Sequence, residues 1–198
     1  MTLDRFYPIF DHPGWLDRML PLGVKLVQLR IKDTPEAQVR RLVSEAMEKC
    51  RRYRAVLVVN DHWRIAIDEK CDWVHLGQED LDTADLGAIR RAGLKLGIST
   101  HDHAELDRAL SLSPDYVALG PVYPTILKKM KWERQGLGRV SEWKQLIGEL
   151  PLVAIGGMSV DRAAGAFQAG ADIVSVVTDI TLNDDPEGRV RQWVEATR

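Results

Sequence analysis

KLVQLRIKDTPEAQVRRLVSEAMEKCRRYRAVLVVN, residues 25–60, holds one copy of the pattern that decides the fold. A short aliphatic run, KLVQLRI (25–31), gives way to a helical pattern, PEAQVRRLVSEAMEKCRRY (35–53), with Pro35 at a permissible first-turn position. A second run, AVLVVN (55–60), follows. Strand, helix and strand in that order imply a right-handed crossover and a parallel pair.

Outward from this unit the pattern recurs. FYPIF (6–10) precedes it, and WVHLG (73–77), KLGIST (95–100), YVALGPV (116–122), PLVAIGG (151–157) and IVSVVTD (173–179) follow, making eight strand candidates. Helical patterns lie between them, such as SVDRAAGAFQAG (159–170), where Ser159 is the expected N-cap and Gly170 the stop. Eight βα units can close into a (β/α)8 TIM barrel, which at 198 residues would be compact beside the typical ~250. An open doubly wound sheet fits eight short units less well. The expectation is therefore an α/β fold, a single TIM-barrel domain over residues 1–198 with its active site at the C-terminal ends of the strands. The one long connection, residues 123–138 (YPTILKKMKWERQGLG), is of a length that usually carries function.

Composition narrows the function classes. The 27 Lys and Arg residues against 29 Asp and Glu give a formal charge of -2, so no broad electrostatic footprint for nucleic acid or an anionic membrane exists. No apolar run approaches the roughly 20 residues of a membrane span, and MTLDRFYPIF lacks the features of a signal peptide. Cys50 and Cys71 have no metal-ligand spacing and fit free thiols. A cytoplasmic protein with small-molecule partners is expected.

In a barrel, the polar residues at strand ends converge on one cup. Gln28, Arg30 and Lys32 alternate along one face of the second strand. The third strand contributes Asn60 and Asp61, the fourth His75 and then Asp80, the fifth Ser99 and His101, and the sixth Thr125 and Lys128. Gly156 and Gly157 follow the seventh, and Val177 and Thr178 the eighth. Arg and Lys suit phosphate oxygens, and two carboxylates suit Mg2+, which completes its shell with water and substrate phosphates. The glycine turn fits a second anion site beside strands seven and eight. Each feature also has a plainer reading: Arg30 and Lys32 in a structural ion-pair network, Asp61 and Asp80 as turn or cap residues, Gly156 and Gly157 as a tight turn, His75 and His101 as packing residues.

The segments YPI, GVKLVQLRIKD, VNDHWRIAI, VHLGQEDL, GISTH, ALGPVYPT, a Lys three residues after that Thr, VAIGG and VSVVTDIT occur in an order that resembles the thiamine-phosphate synthase family, from about Tyr7 to Thr181. The resemblance implies a (β/α)8 enzyme joining 4-amino-5-hydroxymethyl-2-methylpyrimidine diphosphate to thiazole phosphate, releasing pyrophosphate with Mg2+. It assigns Gln28, Arg30, Lys32, Asn60 and Lys128 to the pyrimidine diphosphate and its leaving group. Arg30, Lys32 and Lys128 are the residues that would act on the reaction itself. Asp61 and Asp80 would hold Mg2+, Ser99 would sit at the pyrimidine pocket, and Thr125, Gly157, Val177 and Thr178 would surround the thiazole phosphate. Two positions depart from the family pattern: Leu127 stands where a second hydroxyl residue is usual, and Thr178 where Ser is common. These departures leave open a different heterocyclic second substrate. A thiazole tautomerase-like isomerase using His101 and a non-catalytic ligand-binding barrel are the other readings.

Overall fold

A computed structural model describes residues 3–125 and 133–198. Eight parallel strands close into a barrel in sequence order: β1 (Phe6–Phe10), β2 (Leu26–Leu29), β3 (Val56–Asn60), β4 (Trp73–Leu76), β5 (Lys95–Thr100), β6 (Tyr116–Leu119), β7 (Leu152–Ile155) and β8 (Ile173–Val176). Closure is made by β1 against β8, with Tyr7 opposite Ser175. The main helices on the outside are α1 (Gly14–Met19), α2 (Glu36–Tyr53), α3 (Trp63–Asp68), α4 (Gln78–Leu81), α5 (Leu86–Arg91), α6 (His103–Ser111), α7 (Gly136–Ile147), α8 (Val160–Gln168), α9 (Thr178–Thr181) and α10 (Pro186–Ala196). None of the described helices is long and apolar enough to cross a membrane.

The strands are hydrophobic on both faces because each face is buried differently. Outward residues such as Val27, Leu29, Val59, Val74 and Ile98 pack under the helices. Helix α2 meets them with Val39, Val43, Ala46, Met47 and Cys50, a stripe at helical spacing. Each fully buried aliphatic side chain of that stripe contributes about 1.5–3 kcal/mol. The helix stops at Arg54, in the left-handed region at φ 54°, and Val56 N then donates to Lys25 O to start the next strand.

The strand candidates for β1 and β5 match the observed bounds, whereas several others overrun at their C-terminal ends. Strand β2 ends at Leu29, so Arg30 and Lys32 lie beyond it; the Arg30 N–H donates to Phe10 O at 2.8 Å, and the chain then turns towards α2. Gly156 and Gly157 are not in β7: their φ angles of +96° and +61° turn the chain out of the sheet. Val177 is likewise outside β8. Pro35 is the N-cap of α2 rather than its first helical residue. Ser159 occupies the N-cap of α8 without a side-chain capping bond, and Gly170, at φ 107°, ends that helix as expected. Residues 136–138 belong to α7, which shortens the long connection.

Inward residues change character along the barrel axis. A lower layer of Leu26, Val58, Trp73, Val153 and Ile173 packs with Tyr7 and Tyr116 into an interior core. One step further along the same face, Leu26 is followed by Gln28, Val58 by Asn60, Trp73 by His75, Gly97 by Ser99 and Ile173 by Ser175. The barrel thus has an apolar floor and a polar upper layer, towards the ends where the catalytic loops of such folds lie.

Gly97 makes this arrangement possible. A Cβ there would fall inside the ring of Tyr116, its neighbour in register on β6. Because Tyr116 is fully buried, Gly97→Ala should destabilise the fold by about 1–3 kcal/mol or more through overpacking. Urea unfolding measures this directly, and a variant as stable as the parent would mean that the ring has room to move.

Candidate active site

The polar layer encloses a cavity of about 110 Å3, lined by side chains of all eight strands or their immediate continuations, among them Tyr7, Gln28, Arg30, Asn60, His75, Ser99, Ala118, Val153 and Ser175. A water needs about 10–15 Å3 of such space, so the cavity has room for several waters or one small ring. Two of its lining groups, Asn60 Nδ2 and Ser175 Oγ, are buried without a hydrogen-bond partner. An orphaned donor or acceptor costs about 1–3 kcal/mol, so both favour a polar ligand. A larger concavity of about 570 Å3 lies at the opposite end, beside Phe6 and Val56, the first residues of β1 and β3. It holds none of the strand-end groups, and size alone does not make it the reaction site.

Polar side chains link the cavity wall through the interior. Gln28 Nε2 donates to Tyr7 Oη at 2.9 Å, Tyr7 Oη lies 3.0 Å from Tyr116 Oη, and Tyr116 Oη lies 2.8 Å from His75 Nδ1. His75 Nε2 is 2.8 Å from Ser99 Oγ. Burial pulls the His75 pKa down to about 4, with the positive charge of Arg30 adding to the effect, so the ring is neutral near pH 7. Tyr7 and Tyr116 are pushed well above the usual phenol range, chiefly by burial, and stay protonated.

Beside the cavity mouth stand the charged groups. Lys32 forms an ion pair with Asp61, whose backbone sits in the left-handed region at φ 62°. His62 Nε2 lies 3.1 Å from Ile31 O, which ties the segment after β2 to the turn after β3 and holds Lys32 near Asp61. Asp80, the third residue of α4, accepts from Gly77 N at 2.9 Å. Its pKa is raised, first by burial and then by the nearby Asp61 carboxylate. Widely spaced in sequence, the two carboxylates are therefore neighbours, and a cation between them would relieve their repulsion. No cluster of three or more His, Cys, Asp or Glu with metal-ligand geometry occurs among the described residues. Two carboxylates suit Mg2+, which commonly keeps waters and takes substrate phosphates. Arg30 forms no ion pair among the described residues, which leaves its guanidinium available at the cavity edge.

The other expected residues fall in a second region. Gly157 meets the loop after β6 so closely that a Cβ would overlap Pro124 O, and the Tyr123 N–H donates to Gly156 O at 3.0 Å. This close packing bears out the tight-turn reading of the two glycines and places Gly157 next to the segment that leads to Thr125. Val177 caps α9, and Thr178 is its first residue. Lys128 and Leu127 lie outside the described residues. His101 bonds to Glu105, Nδ1 to Oε2 at 2.7 Å, and does not line the cavity. His75 does line it, together with Tyr7 and Ser175, and Tyr116 bonds to Tyr7 and His75 behind the wall; the strand-end reading left these out or left them without a role. Their signal was present in the period of two: Tyr7, Tyr116 and Ser175 lie on the inward face of their strands.

The family model described as Thiamine monophosphate synthase matches residues 7–180. A thiamine-phosphate synthase of Rhizobium etli is 59% identical over 197 residues, covering 100% of this chain and 97% of the relative. That of Cronobacter sakazakii is 46% identical over 189 residues, covering 96% and 90%. Among solved structures, a thiamine phosphate pyrophosphorylase from Pyrococcus furiosus superposes with a TM-score of 0.87 at 25% identity, covering 98% and 95%. A 3-hexulose-6-phosphate synthase superposes with a TM-score of 0.72 at 13% identity, covering 98% and 100%, a likeness of fold alone.

The buried His75 makes stability depend on pH. In the unfolded chain it takes up a proton near pH 6.5, whereas in the fold it stays neutral down to about pH 4. Protons therefore favour the unfolded chain across that window, and stability should fall as pH drops from about 6.5 to about 4, by roughly 3 kcal/mol in full. Urea midpoints across the window test this; His75→Gln should flatten the slope, and an unchanged slope would place its origin elsewhere.

Proposed function

Because the chain belongs to the thiamine monophosphate synthase family, we propose that it joins 4-amino-5-hydroxymethyl-2-methylpyrimidine diphosphate to thiazole phosphate, yielding thiamine phosphate and pyrophosphate. The observation that carries this reading is the polar cavity with its unpartnered Asn60 and Ser175 atoms, flanked by Arg30, Lys32 and the Asp61–Asp80 pair. A small nitrogen heterocycle fits the polar wall, and a diphosphate fits the charged rim.

In this reading Gln28, Asn60 and Ser99 hold the pyrimidine. Arg30 and Lys32, with Lys128, take the diphosphate, Arg as a planar fork and Lys as a point charge. The carbon–oxygen bond to the diphosphate breaks with its electron pair leaving on the pyrophosphate. The exocyclic carbon becomes a cation stabilised by the ring, and the lone pair of the thiazole nitrogen then forms the new carbon–nitrogen bond. No protein nucleophile is required. The chain's task is to stabilise charge on the leaving group, align the two rings and keep water from the cation. Asp61 and Asp80 are the residues that would hold Mg2+, and when bound the ion supplies positive charge against the departing phosphate oxygens. Lys32 would then exchange its contact with Asp61 for the substrate phosphate.

Thr125, Gly157, Val177 and Thr178 are assigned to the thiazole phosphate. Support comes from the position of Val177 and Thr178 after β8 and of Gly157 after the neighbouring β7, beside the loop that leads to Thr125. The barrel is taken to act as one unit, residues 1–198, with cytoplasmic placement supported by two free, buried cysteines, Cys50 and Cys71.

The decisive experiment mixes the purified protein with both substrates and Mg2+ and follows pyrophosphate release; no release would remove the assignment. Arg30→Ala and Lys32→Ala should each lower turnover at least roughly tenfold, about 1.4 kcal/mol of transition-state stabilisation, with the fold intact. If both unfold while the folded remainder turns over normally, their role is structural. Calorimetry offers a separate check on the carboxylates: Asp61→Asn and Asp80→Asn should each weaken Mg2+-dependent pyrophosphate binding, and undiminished binding in both would exclude them as ligands.

A further inference from the structure

The five side chains linked through the barrel interior come from five strands, and their donors and acceptors can be arranged in order. The Gln28 amide nitrogen can only donate, and it lies 2.9 Å from Tyr7 Oη. Tyr7 Oη accepts that bond and has one proton to give, and Tyr116 Oη is 3.0 Å away. Tyr116 in turn has one proton to give, and His75 Nδ1 lies at 2.8 Å. A neutral imidazole that accepts at Nδ1 carries its proton on Nε2, which faces Ser99 Oγ at 2.8 Å. Ser99 Oγ then accepts from His75, and its own proton is left for a group beyond the chain.

The opposite order leaves a defect. If His75 carried its proton on Nδ1, it would donate to Tyr116, and Tyr116 would donate to Tyr7. Tyr7 Oη would then receive two donors, and its own proton would have no partner among the described bonds, at a residue that is 1% exposed. Buried hydroxyls left without a partner are disfavoured. Each order leaves one hydroxyl proton over, and the first leaves it on Ser99, which is only partly buried, rather than on Tyr7.

We propose that this one-way chain fixes His75 as the Nε2–H tautomer and turns the Ser99 hydroxyl proton into the cavity. Ser99 thereby recognises a hydrogen-bond acceptor, an in-plane lone pair on a ring nitrogen of the substrate. Tyr7, Tyr116 and His75 act as positioning residues, transmitting the donor sense of Gln28 across the barrel. Asn60 Nδ2, buried and unpartnered, gives the same wall a second donor. The tautomer follows from the interior geometry alone; the ligand part rests on the reading of the cavity as the pyrimidine site.

The tautomer is read from the ring nitrogen shifts of His75 in the full 15N-labelled protein without ligand. Nε2 is expected in the protonated, pyrrole-type range and Nδ1 in the bare, pyridine-type range; the reverse assignment overturns the proposal. Tyr116→Phe, which keeps the ring and removes the hydroxyl, should mix the tautomers, a change that loss of packing alone would not cause, and a pure Nε2–H form in that variant overturns the role of Tyr116. For the ligand part, binding of the pyrimidine diphosphate is compared with analogues in which each ring nitrogen in turn is replaced by C–H. One replacement should weaken binding to the parent protein roughly tenfold. In Ser99→Ala that ratio should collapse towards one, and in Tyr116→Phe it should narrow. A ratio unchanged in Ser99→Ala overturns the ligand part. If the pyrimidine diphosphate does not bind the parent at all, the proposed function and the ligand part fall together, while the nitrogen shifts still decide the tautomer.

Discussion

Pairing of β1 with β8 is the constraint on which the rest depends. Eight short parallel strands left open would present two unpaired edges; closed, every strand has two neighbours, and the inward side chains are forced into one confined well. That well must be filled to the density of a core, yet it must also open to solvent at one end. The chain meets both demands by stacking apolar residues low and polar residues high on the same strand faces. Tyr7 and Tyr116 stand at the boundary. Their rings belong to the lower packing and their hydroxyls to the polar layer, as expected of an aromatic residue with a polar handle.

The same closure explains why ordinary residues act together at the rim. Lys32, Asp61 and Asp80 come from three successive βα connections, and none is unusual in its own local sequence. Adjacent strands deliver them within reach of one another, so that Asp80 is shifted by Asp61 and Lys32 pairs with Asp61. The free-standing ion pair is partly exposed and contributes little to stability. Its significance lies in holding charge where a phosphate or metal ion would rearrange it.

Much of this was legible in the sequence, for physical reasons. Strand and helix periods alternate cleanly in stretches such as 25–60, because both faces of each strand are buried and α2 carries a well-defined apolar stripe. Strand ends were less legible. Ile31 and Val122 read as continuations of the runs before them, yet β2 ends at Leu29 and β6 at Leu119. Gln28, Arg30, Asn60 and Ser99 were found because polar residues near strand ends stand out. Tyr7 and Tyr116 were not, since an aromatic residue in a strand reads as packing, and a hydrogen bond between positions 109 apart leaves no local trace. Asp61 and Asp80 were brought together by the barrel reading, which gathers strand ends into one cup.

The loop flanks after β6 carry a consequence of their own. Val122 N donates to Ile155 O and Tyr123 N to Gly156 O, while from the far side Gln135 N donates to Pro121 O and Gly136 N to Val122 O. The two stubs, 121–123 and 135–136, are thus pinned to the barrel and to each other, independently of the residues strung between them. Closing a longer segment across a fixed gap is cheap, about 0.6 kcal/mol for each doubling of its length. This junction works as a socket: the intervening sequence can be exchanged, lengthened or recharged by an engineer with the barrel retaining its geometry.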